Sequence, residues 1–182
     1  MTTNETLKID FPNLIFPNTG NQTIPTTHAT DNLYNSGRIY EEDLLKLLNE
    51  PADKSPIIFK DTPRWCELDF IAETDKTNIF IELKGRNLKI NAFKTTYIIE
   101  SKIKYFRLIN NLNPSKQNRL YLVFAFIPYD NNNNIKDYYY IKYTPSIFKA
   151  FTRKIVFNKS NIEIPIECLK PISDFKDEII KY

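Results

Sequence analysis

A near-continuous apolar run, RLYLVFAFI, occupies residues 119–127 of this 182-residue chain. A strand that is buried on both faces has this composition, whereas a strand with one wet face alternates apolar and polar residues. The run falls well short of the ~20 apolar residues that span a bilayer. The sequence therefore predicts a central strand with packed layers on both sides of its sheet.

The segments around this run predict helices and strands in a regular order. Residues 39–49 and about 95–112 carry apolar side chains at helical intervals, and the first of these segments ends before Pro51. Strands are expected over residues 56–59, 65–71, 78–84, 119–127 and 137–143, with a short helix at 145–151, short strands near 154–157 and 162–166, and a helical turn near 174–182. The core order is helix, three strands, helix, strand, which predicts an α/β fold.

The length of the chain favours one compact domain. Residues 1–36 are polar and interrupted by prolines, and we interpret them as an N-terminal arm with a candidate edge strand at 7–16. Residues 37–182 form a single predicted domain. Its core is expected at 37–127, and a C-terminal elaboration is expected at 128–182.

Scarce residue types exclude several kinds of site. The chain has three glycines, one histidine and two cysteines. The glycines form no phosphate-binding loop, His28 cannot supply a histidine triad or a multi-histidine metal centre, and Cys66 and Cys168 are too far apart for a C-x-x-C clip. Catalysis would therefore use carboxylates, lysines or an oxygen-ligated metal. The N-terminus lacks the apolar stretch of a secretory signal, so we expect an intracellular, reducing location away from membranes.

Two predicted strands within residues 65–86 bring acidic side chains together. Glu82 and Lys84 are two residues apart on the later strand and therefore share a face. If the turn is centred on residues 75 and 76, Asp69 lies opposite Glu82. Directly opposed like charges destabilise a sheet. A divalent cation between them would remove this penalty, because paired carboxylates hold Mg²⁺ while leaving waters on it.

Alternation of side chains leaves other interpretations of this hairpin open. On the earlier strand it places Leu68 and Phe70 on one face and Glu67 and Asp69 on the other. These acids and Glu82 could equally form a solvated strand face with ordinary ion pairs. A register slip of two residues would also separate Asp69 from Glu82.

The spacing of Asp69 from the sequence Glu82-Leu83-Lys84 resembles the D…(D/E)-x-K signature of the PD-(D/E)XK nuclease superfamily. The predicted order of helices and strands also matches the core of that superfamily, over roughly residues 37–127. Leu68 stands where the family has a proline before the aspartate. The resemblance implies a restriction-endonuclease-like α/β fold, with a mixed central sheet flanked by helices and extra C-terminal strands.

The resemblance also implies a role for each residue of the signature. Asp69 and Glu82 would ligate Mg²⁺, for which Mn²⁺ can substitute, and the Leu83 backbone carbonyl would be a third ligand. Lys84 would orient or help to deprotonate the attacking water. This division of roles suits phosphodiester hydrolysis, in which a metal activates water and neutralises charge.

Many members of the superfamily add a catalytic, metal-binding glutamate from the first helix, and this chain has two adjacent candidates. We choose Glu41, because helical spacing puts it on one face with Leu44 and Leu48, whereas Glu42 lies beside Lys46 on the wet side. The alternative interpretation of Glu41 is an exposed residue of the first turn that complements the helix dipole.

Basic residues concentrate directly after the signature. Residues 84–107 carry seven Lys or Arg and one Glu, a balance of +6, although the whole chain carries only +3. Phosphate contacts supply most of the non-specific affinity for nucleic acid, so we interpret Arg86, Lys89, Lys94 and Lys102 as nucleic-acid-binding residues. A solvated helix face is the alternative.

Aromatic residues within 138–143 could stack on bases, but alternating strand positions more often pack a core or a dimer face, and we favour packing there and for Trp65. The sequence thus predicts a Mg²⁺-dependent nuclease that hydrolyses DNA phosphodiester bonds, with RNA as a second candidate substrate. The main alternative is a nuclease-like protein with little or no catalysis, used for nucleic-acid binding or assembly. A homodimer through the aromatic strand is an option that the sequence leaves open.

Overall fold

The computed structural model describes residues 14–16, 31–50, 57–63, 65–86, 88–126 and 137–180, with residues 31–39 and 180 described by their backbone. Its helices are α1 (Asp31–Asn49), α2 (Glu100–Leu112), α3 (Pro145–Ala150) and α4 (Phe175–Ile180), with short 3-10 turns at Ile90–Ala92, Ile166–Cys168 and Ile172–Asp174. Its strands are β1 (Lys60–Asp61), β2 (Phe70–Glu73), β3 (Thr77–Arg86), β4 (Thr95–Ile99), β5 (Gln117–Phe126), β6 (Asp137–Lys142), β7 (Arg153–Val156), β8 (Lys159–Pro165) and β9 (Lys170–Pro171).

A six-stranded sheet with the order β1-β2-β3-β5-β6-β9 forms the centre of the protein. β3 and β5 are parallel, and the other neighbouring pairs in this sheet are antiparallel. β4, β8 and β7 form a second, antiparallel sheet of three strands. The predicted α/β class, with a mixed central sheet flanked by helices, is confirmed.

The central strand β5 is buried on both faces, as its apolar composition predicts. On one face Leu120 and Leu122 belong to a core that includes α2 and the smaller sheet. On the other face Tyr121 and Val123 belong to a core that includes α1 and α4. The neighbouring strand β3 alternates in the same way, so that Glu82 lies on the face covered by α2.

The first helix is longer than predicted and fixes the chain that follows it. α1 begins at Asp31, within the segment interpreted as an arm, and buries Leu44 and Leu48 as its spacing predicts. The Asn49 side-chain oxygen accepts a hydrogen bond from the Phe59 N–H at 2.8 Å, and its NH₂ group donates to the Phe59 carbonyl at 2.9 Å. The strand predicted at 56–59 is wrong for residues 57–59, and residue 56 lies outside the described residues. Asn49 occupies the backbone groups of Phe59, and β1 forms at Lys60–Asp61 instead.

The described part of the N-terminal arm docks beside the end of α2. Leu14 and Phe16 are buried in the core on the α2 side. The Asn113 side-chain oxygen accepts from the Ile15 N–H, and its NH₂ group donates to the Ile15 carbonyl, both at 2.7 Å. Residues 14–16 are not in a strand, and the rest of the predicted edge strand at 7–16 lies outside the described residues.

The helix predicted over 95–112 is wrong in its first five residues. Thr95–Ile99 is strand β4, which pairs with β8 from Thr95 opposite Pro165 to Ile99 opposite Asn161. β-branched and aromatic side chains dominate this segment, and they favour strands. Thr96 and Ile98 are buried while Thr95 and Tyr97 are exposed, which is the period of a strand.

The strand predicted over 65–71 is also wrong in its first part. β2 begins only at Phe70, and a turn precedes it in which the Cys66 N–H donates to the Pro63 carbonyl at 2.8 Å. As a result, Leu68 packs in the core on the α2 side, whereas Phe70 packs in the core on the α1 side. The prediction that these two side chains share a face fails, because that prediction requires a regular strand.

The C-terminal part follows the predicted order. β6, α3, β7, β8 and α4 occur at the expected places, and Thr144 precedes the first residue of α3, Pro145, although its side chain makes no capping hydrogen bond. None of the helices in the described ranges is long and apolar enough to cross a membrane.

Candidate active site

The register between β2 and β3 brings Asp69 to Glu82. Phe70 pairs with Ile81 and Ile71 pairs with Phe80, which is the predicted register. Asp69 directly precedes β2, and its N–H donates to the Ile81 carbonyl at 3.0 Å. Its side-chain Oδ2 accepts a hydrogen bond from the Leu83 N–H at 2.6 Å. This bond turns the carboxylate toward β3 beside Glu82.

Two lysines bracket the carboxylate of Glu82, which is only 1% exposed. Lys84 Nζ lies 3.1 Å from Glu82 Oε1, so the expectation that these side chains share a face is confirmed. Lys102 Nζ, from the first turn of α2, lies 3.2 Å from Glu82 Oε2 and also donates to the Glu67 carbonyl. Two carboxylates and two ammonium groups therefore form a compact cluster with no formal net charge.

Burial and mutual repulsion make the two carboxylates hard to ionise. Burial, followed by the charge of Asp69, raises the pKa of Glu82 to about 7, although Lys102 and Lys84 oppose the shift. Burial also raises the pKa of Asp69, against the Leu83 N–H and the same two lysines. Burial lowers the pKa of Lys102, but attraction to Glu82 and Asp69 outweighs it and leaves the pKa raised. The cluster thus favours additional positive charge near its carboxylates.

The donor set of this cluster fits Mg²⁺. No described residue gives either Glu82 oxygen a well-directed hydrogen bond, although both atoms are buried. The described part of the chain contains no group of three or more carboxylate, imidazole or thiol side chains placed to hold a metal. Mg²⁺ commonly binds through one or two carboxylates and keeps several waters, whereas structural zinc needs four protein ligands. Asp69, Glu82 and the Leu83 carbonyl are therefore suitable ligands for magnesium.

Glu41 is not brought into a three-carboxylate group with Asp69 and Glu82 in the described residues. Its helix, α1, packs on the face of the sheet opposite Glu82. The N-terminal half of α1 does reach the end of β3, where a side chain at Gly85 would lie 3.2 Å from the ring of Tyr40. Glu41 is half-buried and Glu42 is exposed, as helical spacing predicts. A metal-binding role for Glu41 stays a prediction.

Two of the four predicted nucleic-acid-binding residues are engaged inside the protein. Lys102 lies in the acidic cluster, and the Arg86 side chain donates to Thr96 Oγ1 at 2.9 Å and to the Tyr97 carbonyl. The Arg86 guanidinium also lies 4.6 Å from the centre of the Tyr97 ring. Arg86 thus ties β3 to β4, while Lys89 and Lys94 are exposed.

Helical spacing contains the signal that identifies Lys102 as a site residue. Lys102 precedes Phe106 by one turn and Ile109 by two, and both are buried. A lysine on the buried stripe of a helix needs an acidic partner, and Glu82 is that partner here.

The aromatic side chains that the sequence offered for base stacking, within residues 138–143 and at Trp65, serve packing. Tyr138, Tyr140 and Tyr143 are buried within the chain, which removes them as a dimer face. The Trp65 ring meets Phe16 edge to face with centroids 5.2 Å apart. Packing is therefore confirmed for these residues. Both cysteines are free and half-buried.

Comparisons with known proteins give similarity to solved structures but no match to a family model or a curated protein. Among solved structures, the chain is similar to Hjc, a Holliday junction resolvase from the archaeal hyperthermophile Archaeoglobus fulgidus. The sequence identity is 14% and the TM-score is 0.43, over 71% of this chain and 87% of the resolvase chain.

Proposed function

We propose that this protein is a metal-dependent nuclease that hydrolyses phosphodiester bonds of DNA. The observation that carries the proposal is the convergence of Asp69 and Glu82 from neighbouring chain segments, with the Lys84 ammonium 3.1 Å from Glu82. A phosphodiester is anionic, so its hydrolysis needs both charge neutralisation and a strong nucleophile near neutral pH.

Asp69, Glu82 and the Leu83 carbonyl would hold Mg²⁺, with Mn²⁺ as a substitute. The bound ion would lower the pKa of its water molecule and would place a positive charge next to the phosphate. The Leu83 N–H fixes the Asp69 carboxylate through its 2.6 Å hydrogen bond, so this ligand is oriented before any ion arrives.

The two lysines have different surroundings, and we assign them different tasks. The Lys84 side chain is 30% exposed and reaches the solvent side of the cluster, where it orients the attacking water and offsets charge on the phosphate. The Lys102 side chain is 19% exposed and tied to the Glu67 carbonyl, so it positions Glu82 rather than meeting substrate. Lys89 and Lys94 are exposed and contact the phosphate backbone.

Cleavage of labelled double-stranded and single-stranded DNA in Mg²⁺ or Mn²⁺ tests this function. We expect Asp69→Asn, Glu82→Gln and Lys84→Ala to lower the rate by roughly 100-fold or more while the protein stays folded. Asp75→Asn and Lys76→Ala are matched controls, because both residues are exposed in the turn of the same hairpin. Absence of cleavage by the wild-type protein, or unchanged rates in the three site variants, would contradict the proposal.

A second candidate function is nucleic-acid binding without catalysis. The observation in its favour is that Lys84 and Lys102 already balance the charges of Asp69 and Glu82 without a metal. This alternative predicts salt-dependent DNA binding, no turnover, and no heat of Mg²⁺ binding in calorimetry. The nuclease proposal predicts measurable Mg²⁺ binding that Asp69→Asn abolishes.

A further inference from the structure

The turn of the β7–β8 hairpin contains an aromatic residue whose backbone conformation is unfavourable. Val156 pairs with Lys159, which leaves Phe157 and Asn158 as a two-residue turn. Their φ angles are 49° and 59°, as a type I′ turn requires. Asn adopts this left-handed region readily, whereas a bulky residue such as Phe is an outlier there. Asn or Gly in place of Phe157 would form the same turn with less strain.

The Phe157 side chain gains no compensating burial within the protein. It is 91% exposed, and Ile155 on the same hairpin is 69% exposed. The turn therefore combines backbone strain with a large apolar surface in water. Both features lower the stability of the protein when it is alone in water. Contact of the Phe157 ring with another molecule would explain why they are present.

The charges near the tip indicate which kind of molecule contacts Phe157. Lys154 and Lys159 lie on the two strands next to the tip, Arg153 begins β7, and residues 152–160 contain no acidic residue. Arg153 and Lys154 pair with Glu100 and Glu163 at 3.5 and 3.7 Å. Such partly exposed pairs contribute little to stability, so the Lys154 ammonium can meet phosphate oxygens instead. Arg153 also donates to the Phe151 carbonyl at 2.8 Å, which holds it at the base of the hairpin. An aromatic ring among basic side chains suits a nucleic acid, whose bases stack on rings while its phosphates meet cations.

The hairpin contacts the turn of α2 that also carries Lys102. Glu100, in the first turn of α2, lies 3.5 Å from Arg153 and also interacts with the side chain of Ser160. Two residues further along α2, Lys102 pairs with Glu82. Phe157 is three residues from Ser160, within about 10 Å along the strand. The hairpin is thus fixed beside the turn of α2 that also carries Lys102, and a nucleic acid that extends from the cluster along this side of the protein can reach the tip.

We propose that Phe157 stacks on an unpaired base of the nucleic-acid substrate while the neighbouring basic side chains contact its phosphates. This inference rests on the proposed function and narrows its substrate class to DNA that has unpaired bases within reach of the tip, such as tails, flaps or branches. A blunt duplex offers no base face to the ring and would gain only the phosphate contacts.

Binding of fluorescent DNA by the variant Phe157→Asn tests the inference, with Ca²⁺ in place of Mg²⁺ to prevent turnover. The probes are a single strand, a blunt duplex and the same duplex with an unpaired tail. Loss of one stacked base weakens binding about 10-fold or more for the two probes with unpaired bases, and much less for the blunt duplex. The variant's melting temperature is equal to or above that of wild type, because Asn suits the turn.

Two further variants complete the experiment. Phe157→Tyr keeps a ring and retains the affinity, and Ile58→Asn removes an apolar side chain that is 64% exposed before β1 and changes nothing. Equal affinities of wild type and Phe157→Asn for all probes overturn the inference, as does a change confined to the oligomeric state. If wild type cleaves DNA and Phe157→Asn binds normally, only this inference fails. If Phe157→Asn loses affinity and wild type never cleaves, the nuclease proposal fails, and Phe157 is a base-stacking residue of a DNA-binding protein.

Discussion

At the scale of single residues, the state of the site depends on whether Glu82 is protonated. Its pKa is raised to about 7 from 4.5, first by burial and then by the charge of Asp69. The folded protein therefore holds this proton more tightly than the unfolded chain does. In the absence of metal, the contribution of Glu82 to stability is complete below its unfolded pKa and is lost as the pH rises through about 7.

Denaturation in EDTA at about pH 5 and about pH 8 measures this effect when wild type is compared with Glu82→Gln, which does not titrate. We expect the free energy of unfolding of wild type to fall between these pH values by on the order of 2 kcal/mol more than that of the variant. Parallel pH profiles of the two proteins would show that Glu82 is ionised throughout and that the lysines outweigh burial.

Glu41 and Glu42 provide a second test at this scale. If Glu41 assists the metal site, Glu41→Gln lowers the cleavage rate by roughly 10- to 100-fold, as loss of a supporting metal contact does. Glu42→Gln is the matched control, because Glu42 is exposed on the same turn of α1. Equal DNA cleavage rates for the two variants in Mg²⁺ would show that α1 contributes only packing to the site.

At the scale of elements, one side chain holds the backbone of the segment 14–16, whose Leu14 and Phe16 side chains are buried in the core. Asn113 is 5% exposed and bonds to both backbone groups of Ile15. Its replacement leaves the Ile15 groups without these partners. We expect Asn113→Ala to lower the free energy of unfolding by about 1–3 kcal/mol. Urea denaturation measures this loss, and Asn111→Ala, at an exposed position of α2, should change it by less than about 0.5 kcal/mol. A similar loss in both variants would contradict the docking role.

The element boundaries show which parts of the fold the sequence could predict. β5 was predictable because eight adjacent apolar residues, 120–127, are typical of a strand that is buried on both faces. Thr95–Ile99 was assigned to a helix because its apolar residues also suit the stripe of α2, and only its β-branched composition indicates β4. The start of β1 depends on the hydrogen bonds between Asn49 and Phe59, which are ten residues apart. The turn before β2 depends on the hydrogen bond from the Cys66 N–H to the Pro63 carbonyl. Neither contact can be read from the spacing of apolar residues.

The candidate site also has contacts that the sequence could predict and contacts that it could not. Alternation and a two-residue turn are local properties, and they were sufficient to place Glu82 beside both Asp69 and Lys84. The position of Lys102 depends on how α2 packs over β3, which is a long-range contact. Helical spacing indicates that Lys102 is on the buried face but does not identify Glu82 as its partner. The contacts of Arg86 with Thr96 and Tyr97 could not be predicted because they involve β4, an unpredicted strand, and its nucleic-acid-binding role stays a prediction.

At the scale of the whole molecule, metal binding should stabilise the fold. A ligand that binds only the folded protein raises stability by about 2.7 kcal/mol at 100 times its dissociation constant. We therefore expect Mg²⁺ or Mn²⁺ to raise the melting temperature of wild type and of Asp75→Asn. Asp69→Asn should show no rise. Equal shifts in all three proteins would assign the effect to non-specific surface binding.

The most direct test of the central claim is the anomalous scattering of a crystal soaked in Mn²⁺. We predict a strong peak between the carboxylates of Asp69 and Glu82, next to the Leu83 carbonyl, with at least one lysine ammonium withdrawn from Glu82. No peak at this position, with both lysines still paired to Glu82 at saturating Mn²⁺, would contradict the claim.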